Sequence, residues 1–197
     1  GLDPITAAPL ACGGLTAYRA VDHGIKTLAP TQRQRRTLLI GVGGLGQYAI
    51  RYLRLLTNTK VIALDIAEDK RSRALELGAD ETVEPNEDIE PCDLIIDFIG
   101  SDATLATATS TVARKGMVIV VGLGGGQTNF GLGKVPPEAR FMTSFWGTRQ
   151  QMDELLNLAR QEPSIMPPVE TLPLTDAQHA HNRLRAGQVA GRIVLIP

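Results

Sequence analysis

Short apolar runs alternate along this chain with longer segments in which apolar residues recur every three or four positions. Apolar runs of four to seven residues are typical of strands that are buried on both faces of a parallel sheet. We therefore predict strands over residues 37–40, 60–64, 82–83, 93–99, 117–121 and 140–146.

Helical spacing fills the intervals between these strands. The segment after the first strand has an apolar stripe made of Leu45, Ala49, Tyr52, Leu53 and Leu56. A second helix is predicted over 67–77, where Gly78 suits a left-handed helix end. A third covers 102–112 with Asp102 as its cap, and a fourth follows Thr148. The apolar stripe of this fourth helix consists of Met152, Leu155, Leu156 and Ala159.

Strand and helix alternate throughout this part of the chain. Such alternation requires right-handed crossovers and a parallel sheet that is covered by helices on both faces. We predict an α/β fold with a doubly wound, six-stranded parallel sheet of the Rossmann type, in the strand order 3-2-1-4-5-6.

The C-terminal segment has a different pattern. Pro163, Pro167, Pro168 and Pro173 indicate a linker, which a helix over 175–186 and a strand over 192–196 follow. We expect this tail to be a separate unit whose last strand needs a sheet that the chain does not fully supply.

Composition and charge exclude several classes of partner. The chain has 43% hydrophobic and 21% charged residues, as an ordinary globular protein has, and a net charge of -1. This charge gives no field that attracts nucleic acid or a membrane, so we predict neither as a partner. The basic run Arg33, Arg35 and Arg36 lacks aromatic neighbours and is interpreted as a solvated loop. Cys12 and Cys92 are too few for a disulfide framework, which favours a reducing, cytoplasmic location.

The strongest chemical signal is the turn Gly41-Val42-Gly43-Gly44-Leu45-Gly46. It lies between a buried strand and an amphipathic helix, which is the context of a dinucleotide-binding fingerprint. Gly41 permits the tight turn, Gly43 lets a phosphate approach the backbone, and Gly46 lets the helix lie close to the strand. We expect the helix that begins near Gly44 to attract the pyrophosphate of NAD with its free N–H groups.

Asp65 follows the second strand, about 20 residues after the turn. A carboxylate here accepts hydrogen bonds from ribose hydroxyls and repels a 2'-phosphate, which favours NAD over NADP. A second glycine cluster spans residues 122–133, but Val135 follows Gly133-Lys134 where a P-loop needs a hydroxyl. The sequence is compatible both with contact between this cluster and the cofactor and with simple flexibility of the cluster.

Four segments together resemble the zinc-dependent medium-chain alcohol dehydrogenases, the secondary-alcohol members most of all. These segments, in the order of the chain, are residues 11–18 (ACGGLTAY), 41–46 (GVGGLG), 64–70 (LDIAEDK) and 145–149 (FWGTR). The resemblance covers nearly the entire chain.

The resemblance implies roles for particular residues. Lys70 helps bind the adenosine ribose beside Asp65 and Ile66, and Ile99 and Gly100 border the adenine. Arg192 pairs with the pyrophosphate. The residues that the family brings to the nicotinamide end are Val121, Gly122, Leu123, Thr16, Ser144 and Trp146. The family also pairs the sixth strand across a twofold axis, so we expect a homodimer through residues 141–146.

The resemblance gives Cys12 the role of one ligand of the catalytic zinc. The family's other zinc ligands and proton-relay residues are not found in this sequence, and we interpret His23, His179 and His181 as surface or capping residues. A catalytic zinc needs three protein ligands, so the chain alone is expected to bind cofactor without oxidising alcohols. Catalytic residues are therefore not assigned, and zinc is expected only in an intact enzyme.

The leading hypothesis is the NAD-binding domain of an alcohol dehydrogenase, which transfers hydride between a small alcohol or carbonyl compound and NAD. We expect residues 1–22 to form an inter-domain segment and first helix, 23–149 the NAD-binding domain, and 150–197 helices and a strand that return to a catalytic domain. One alternative is a zinc-free quinone or enoyl reductase. Cys12 and the NAD-type Asp65 argue against this alternative, because those relatives mostly use NADPH. Another is a non-catalytic NAD-binding module.

Overall fold

A computed structural model describes residues 1–28, 31–189 and 191–197. Its main sheet has six parallel strands in the order β3-β2-β1-β4-β5-β6. The strands are β1 Arg36–Ile40, β2 Lys60–Leu64, β3 Glu81–Val83, β4 Cys92–Asp97, β5 Val112–Val120 and β6 Arg140–Thr143. The predicted doubly wound Rossmann sheet and its strand order are confirmed.

The helices are α1 Pro4–Ala7, α2 Gly13–Thr27, α3 Gly46–Leu56, α4 Glu68–Glu76, α5 Asp102–Thr111, α6 Arg149–Gln161 and α7 Ala177–Arg185. Alternating side chains of each central strand enter different cores. Leu39 packs in a large core with residues of α2, α3 and α6, whereas Leu38 and Ile40 pack with Ala108 of α5 in a smaller core on the other face. The period of two along β1 thus determines which layer each side chain meets.

Four local predictions need correction. Ser101, and not Asp102, caps α5, because its hydroxyl and Thr104 form a reciprocal capping box. Leu56 is 41% exposed, because it is the last residue of α3. β5 begins at Val112 instead of 117, with an irregular register opposite β4. β6 ends at Thr143, three residues early, because the chain turns away and Trp146 adopts a positive φ of 56°.

The basic run is more ordered than predicted. Arg36 begins β1, and its guanidinium lies 3.0 Å from a Glu90 carboxylate oxygen. Arg33 forms an ion pair with Asp93. The run is therefore partly tied to the start of β4 and is not simply a solvated loop.

The tail contains a strand that the sequence analysis missed. β7, Val169–Pro173, and β8, Arg192–Ile196, form a two-stranded parallel sheet joined through α7. The last strand therefore has one partner strand in this chain, which the sequence did not predict. Pro168 and Pro173 led to the prediction of a linker in place of this strand. Pro168 lies just before β7 and Pro173 is its last residue, and a missing N–H is tolerated at both positions.

Within the described residues, no helix combines the length and the apolar character that a membrane crossing requires.

Candidate functional site

Most of the predicted site residues lie on loops at one edge of the sheet. The strands are parallel, so the loops that follow β1, β2, β4, β5 and β6 all emerge at the carboxyl edge. Hydrogen bonds join neighbouring loops: the Gly41 amide donates to the Leu64 carbonyl at 2.8 Å, and the Val121 amide to the Asp97 carbonyl at 2.8 Å. The fold thus gathers residues that are more than 100 positions apart in the sequence.

The glycine turn has a geometry that only glycine permits at two positions. Gly41 has a φ of 83°, in the left-handed region. A Cβ on Gly46 would lie 2.4 Å from the Gly41 carbonyl oxygen, so α3 approaches the strand too closely for a side chain. Apart from Gly43 itself and its two chain neighbours, no heavy atom of the described residues lies within 4 Å of a Cβ on Gly43. Gly43 therefore leaves open space above the turn.

The helix itself begins slightly later than predicted. α3 starts at Gly46, although the Gln47 amide already bonds to the Gly43 carbonyl. The first turn of α3 directs its remaining N–H groups toward this open space, which is the favoured position for an anion.

Asp65 is a buried carboxylate and only 6% exposed. Its Oδ2 accepts a hydrogen bond from the Val42 amide at 3.0 Å, and its Oδ1 accepts one from the Ala67 amide at 3.0 Å. The Lys70 ammonium lies 3.8 Å from Oδ1. Each carboxylate oxygen keeps acceptor capacity beyond these bonds. The side chain is therefore held in place beside the glycine turn.

Two large apolar side chains are exposed beside Asp65. Ile66 is 82% and Ile99 44% exposed, and both line a cavity of about 330 Å³ together with Gly41 and Thr104. Exposed apolar side chains that line the same cavity are typical of a ligand-binding groove. This arrangement fits a flat ring with apolar faces.

Sequence reasoning missed Asp97, which organises two of the loops. Its side chain is fully buried at the end of β4, and its Oδ1 accepts hydrogen bonds from the Ile99 amide at 2.8 Å and the Gly100 amide at 3.0 Å. Its main-chain carbonyl accepts from the amides of Val121 and Gly122. A charged residue directly after the apolar run Leu94-Ile95-Ile96 was the available signal.

Gly100 and Gly122 are needed where these two loops touch. Gly100 has a φ of 71°, and a Cβ there would lie 2.4 Å from the Gly122 carbonyl oxygen. The neighbouring residues differ in exposure, since Val121 is buried in the large core while Leu123 is 86% exposed.

The predicted nicotinamide side is formed by α2 and by the chain after β6. Thr16 lies in the first turn of α2, where its amide donates to the Cys12 carbonyl at 2.9 Å. Trp146 Nε1 donates to the Ala11 carbonyl at 3.2 Å, which joins the two segments. The buried Ser144 hydroxyl has no hydrogen-bond partner among the described residues. Buried polar atoms are normally hydrogen-bonded, so this hydroxyl is available to a further partner.

Arg192 reaches from the tail to the glycine turn. Its Nη1 would lie 2.3 Å from a Cβ on Gly44, and its Nη2 2.6 Å from a Cβ on Gly13. Nη2 is buried and has no hydrogen-bond partner within the described part of the chain. Beside it lies a cavity of about 600 Å³, which Gly43 and Lys70 also line. A guanidinium with an unpartnered N–H group at a helix N-terminus is a strong anion-binding arrangement.

The residues described do not form a metal centre. Among residues 1–28, 31–189 and 191–197, no three histidine, cysteine or acidic side chains come together to hold an ion. Cys12 is exposed and lines a cavity of about 440 Å³ beside Gly13 and Arg192. His179 and His181 are exposed, as predicted, but the buried Nε2 of His23 corrects the interpretation of that residue as a surface one. Cys12 alone does not fit a catalytic zinc, which takes three protein ligands.

Known proteins share this architecture. The NAD-dependent alcohol dehydrogenase of Sulfolobus acidocaldarius is 32% identical, over 98% of this chain and 58% of the relative. The crystal structure of the alcohol dehydrogenase of Aeropyrum pernix matches with 35% identity and a TM-score of 0.82, over 97% of this chain and 57% of that one. The acetophenone reductase of Geotrichum candidum, in complex with NAD, matches with 29% identity and a TM-score of 0.84, over 100% of this chain and 57% of that one.

The chain thus spans somewhat more than half the length of these relatives. A family model described as zinc-binding dehydrogenase matches residues 44–161, which contain the helix after the glycine turn, Asp65 and the loops around Asp97. This match covers more than half of the chain. The chain therefore belongs to the zinc-binding dehydrogenase family.

Proposed function

We propose that this chain is the coenzyme-binding part of an NAD-dependent, zinc-dependent alcohol dehydrogenase. The observation that carries this proposal is the open glycine turn between the fixed carboxylate of Asp65 and the unpartnered Nη2 of Arg192. This arrangement offers a cation and free N–H groups to a diphosphate, and a carboxylate to a sugar.

The pyrophosphate would bind above Gly43, Gly44, Leu45 and Gly46, where the N-terminus of α3 and Arg192 both attract negative charge. The absence of a side chain at Gly43 lets the phosphate oxygens reach the backbone. This explains why the buried Nη2 of Arg192 has no partner among the described residues: its partner is the ligand.

The adenosine would occupy the side of the site near β2. Asp65 accepts hydrogen bonds from the ribose hydroxyls, assisted by Lys70 at 3.8 Å from its carboxylate. Ile66 and Ile99 offer apolar contacts to the adenine, and Gly100 borders it. A 2'-phosphate would meet the negative charge of Asp65, so we propose NAD as the coenzyme in preference to NADP.

The nicotinamide would lie toward α2 and the chain after β6. Bound NAD supplies an acceptor for hydride from the alcohol carbon. The residues of this chain hold and orient the ring, with Ser144 as a hydrogen-bonding group and Thr16, Trp146 and the segment Val121–Gly122–Leu123 as its surroundings.

We propose that Cys12 contributes one zinc ligand and that the remaining ligands come from outside the described residues. The residues that bind the substrate, a small alcohol or carbonyl compound, would also come mostly from outside the described residues. We therefore expect the 197-residue chain to bind NAD and to show no alcohol oxidation by itself.

Calorimetric titration with NAD, NADP and NADPH tests the proposal. We expect NAD to bind more tightly than either phosphorylated coenzyme. Asp153 is an exposed carboxylate on α6, and the control variant Asp153→Asn should bind NAD like the unchanged chain. Preferential binding of NADPH would favour a quinone or enoyl reductase. No binding of NAD at millimolar concentration would refute the assignment. A reading frame without zinc-ligand residues next to this segment would favour a non-catalytic NAD-binding module.

We also propose a homodimer through residues 141–146. β6 is the outer strand of the main sheet, and its unpaired edge is able to join a second copy across a twofold axis. Sedimentation velocity should show a dimer, and Thr143→Asp, at an exposed position of β6, should shift it toward monomer. A monomeric unchanged chain at all concentrations would contradict this.

Two further expectations belong to this proposal. The division into residues 1–22, 23–149 and 150–197 is retained, although α2 continues to Thr27 and so extends past the first boundary. A cytoplasmic location is supported by the free thiols of Cys12 and Cys92.

A further inference from the structure

We propose that Tyr48 is a positioning residue for the coenzyme, because the face of its ring holds the guanidinium of Arg192 above the glycine turn. The inference rests on the proposed function, in which Arg192 binds the pyrophosphate. It adds a residue that touches Arg192 and not the ligand.

The contact between the two residues is direct. Tyr48 lies in the first turn of α3 and is fully buried, and Cζ of Arg192 is 5.6 Å from the centroid of its ring. A guanidinium at this distance is attracted by the negative face of the ring. In the described part of the chain, no carboxylate forms an ion pair with Arg192.

The guanidinium is also confined from the sides. A Cβ on Gly44 or on Gly13 would lie within 2.6 Å of one of its nitrogens, so these two glycines form a slot that is just wide enough for it. The ring of Tyr48 lies against the guanidinium in this slot. Arg192 is therefore set between the turn and α2 by shape and by the ring, without a neutralising partner.

The ring of Tyr48 is itself held firmly. It stacks on Tyr52 with 5.9 Å between centroids and 21° between planes, and Tyr52 meets Tyr18 edge to face at 5.7 Å. The Tyr52 hydroxyl donates to the Gly14 carbonyl at 3.3 Å. The three tyrosines thus join α3 to α2 and fix the surface on which Arg192 rests.

The hydroxyl of Tyr48 is not needed for this role. It is buried and has no hydrogen-bond partner among the described residues. Burial raises the pKa of Tyr48 by more than the neighbouring Arg192 guanidinium lowers it, so the pKa stays above its ordinary value and the hydroxyl is neutral at physiological pH. A ring face attracts the cation but leaves its full charge available to a diphosphate, whereas a carboxylate would compete with the ligand.

The test compares Tyr48→Leu with Tyr48→Phe, which keeps the ring face. We expect Tyr48→Phe to bind NAD like the unchanged chain and Tyr48→Leu to bind it about threefold to tenfold more weakly. Adenosine lacks the pyrophosphate, so its binding, followed by ligand-observed NMR, should be the same in all three proteins. If Tyr48→Leu does not fold, Tyr48→Met replaces it, because methionine fills an aromatic site adaptably.

A double-mutant cycle with Arg192→Ala separates positioning from general structure. We expect Arg192→Ala to weaken NAD binding, and Tyr48→Leu to cause no further loss in that background. Equal NAD affinity of Tyr48→Leu and the unchanged chain overturns the inference, as does an equal loss of adenosine and NAD binding. Failure of the unchanged chain to bind NAD is a different result, because it refutes the proposed function itself.

Discussion

The carboxylate of Asp65 accepts a hydrogen bond from the amide of Val42 at 3.0 Å, which ties the end of β2 to the glycine turn after β1. The side chain that we propose selects the coenzyme therefore also stabilises the glycine turn. Because Asp65 is only 6% exposed, its orientation is set by the fold before any ligand binds.

Substitution of Asp65 should change both coenzyme preference and stability. Repulsion between a carboxylate and a phosphate a few ångströms apart is on the order of 1 to 4 kcal/mol. We therefore expect Asp65→Asn to reduce the preference for NAD over NADP by about tenfold or more. The asparagine keeps one acceptor oxygen for two backbone amides, so the free energy of unfolding should fall by about 1 kcal/mol. Paired titrations and urea unfolding measure the two effects.

Asp153→Asn is the matched control for this prediction, because it removes an exposed carboxylate on α6. It should change neither the preference nor the stability. An unchanged ratio of NADP to NAD affinity in Asp65→Asn would show that the carboxylate does not face the ribose.

Two alanine substitutions in the same turn should have opposite effects. Gly46→Ala places a Cβ 2.4 Å from the Gly41 carbonyl oxygen, and we expect it to destabilise the fold by about 1 to 3 kcal/mol. Gly43→Ala meets no described heavy atom within 4 Å, so its thermal unfolding should be nearly unchanged. Its methyl group would occupy the space of the phosphate, and NAD binding should be weakened. A Gly43→Ala protein with normal NAD affinity would exclude a phosphate from this position.

Removal of the Asp97 carboxylate should loosen the loop that follows β4. Asp97→Ala leaves the amides of Ile99 and Gly100 without their acceptor, which costs about 1 to 3 kcal/mol for a buried group. Asp97→Asn keeps one oxygen and should be less destabilised. Urea unfolding measures the difference, and equal stability of the alanine variant and the unchanged chain would mean that these bonds contribute nothing.

The two cysteines should differ sharply in reactivity. Burial raises the pKa of Cys92 to about 11, so almost none of it is thiolate at pH 8, whereas Cys12 is exposed. We expect a thiol-specific reagent to modify Cys12 alone in the native chain and both cysteines in denaturant. Cys12→Ser should therefore show no reaction until it unfolds. Rapid labelling of native Cys12→Ser would mean that Cys92 is accessible.

Much of the fold followed from local patterns. The apolar runs predicted the strands of the main sheet, and their alternation with helices predicted the order in which they lie, because crossovers of this kind have one hand. Predictions failed where local signals conflict with pairing. Pro168 and Pro173 indicated a linker, yet β7 begins directly after Pro168 and ends at Pro173, because β8 supplies hydrogen bonds from residues more than twenty positions away.

The amino-acid sequence alone determined the positions of the glycine turn and Asp65 and their location at the carboxyl edge of the sheet. These features depend on spacing within neighbouring strand–helix units. Only the tertiary structure decided what completes the site. The Asp97 main-chain carbonyl binds the amides of Val121 and Gly122 in the next loop, and the Tyr48 ring contacts a guanidinium from the far end of the chain. Such contacts join residues that no periodicity relates, so they arise only when the chain has packed.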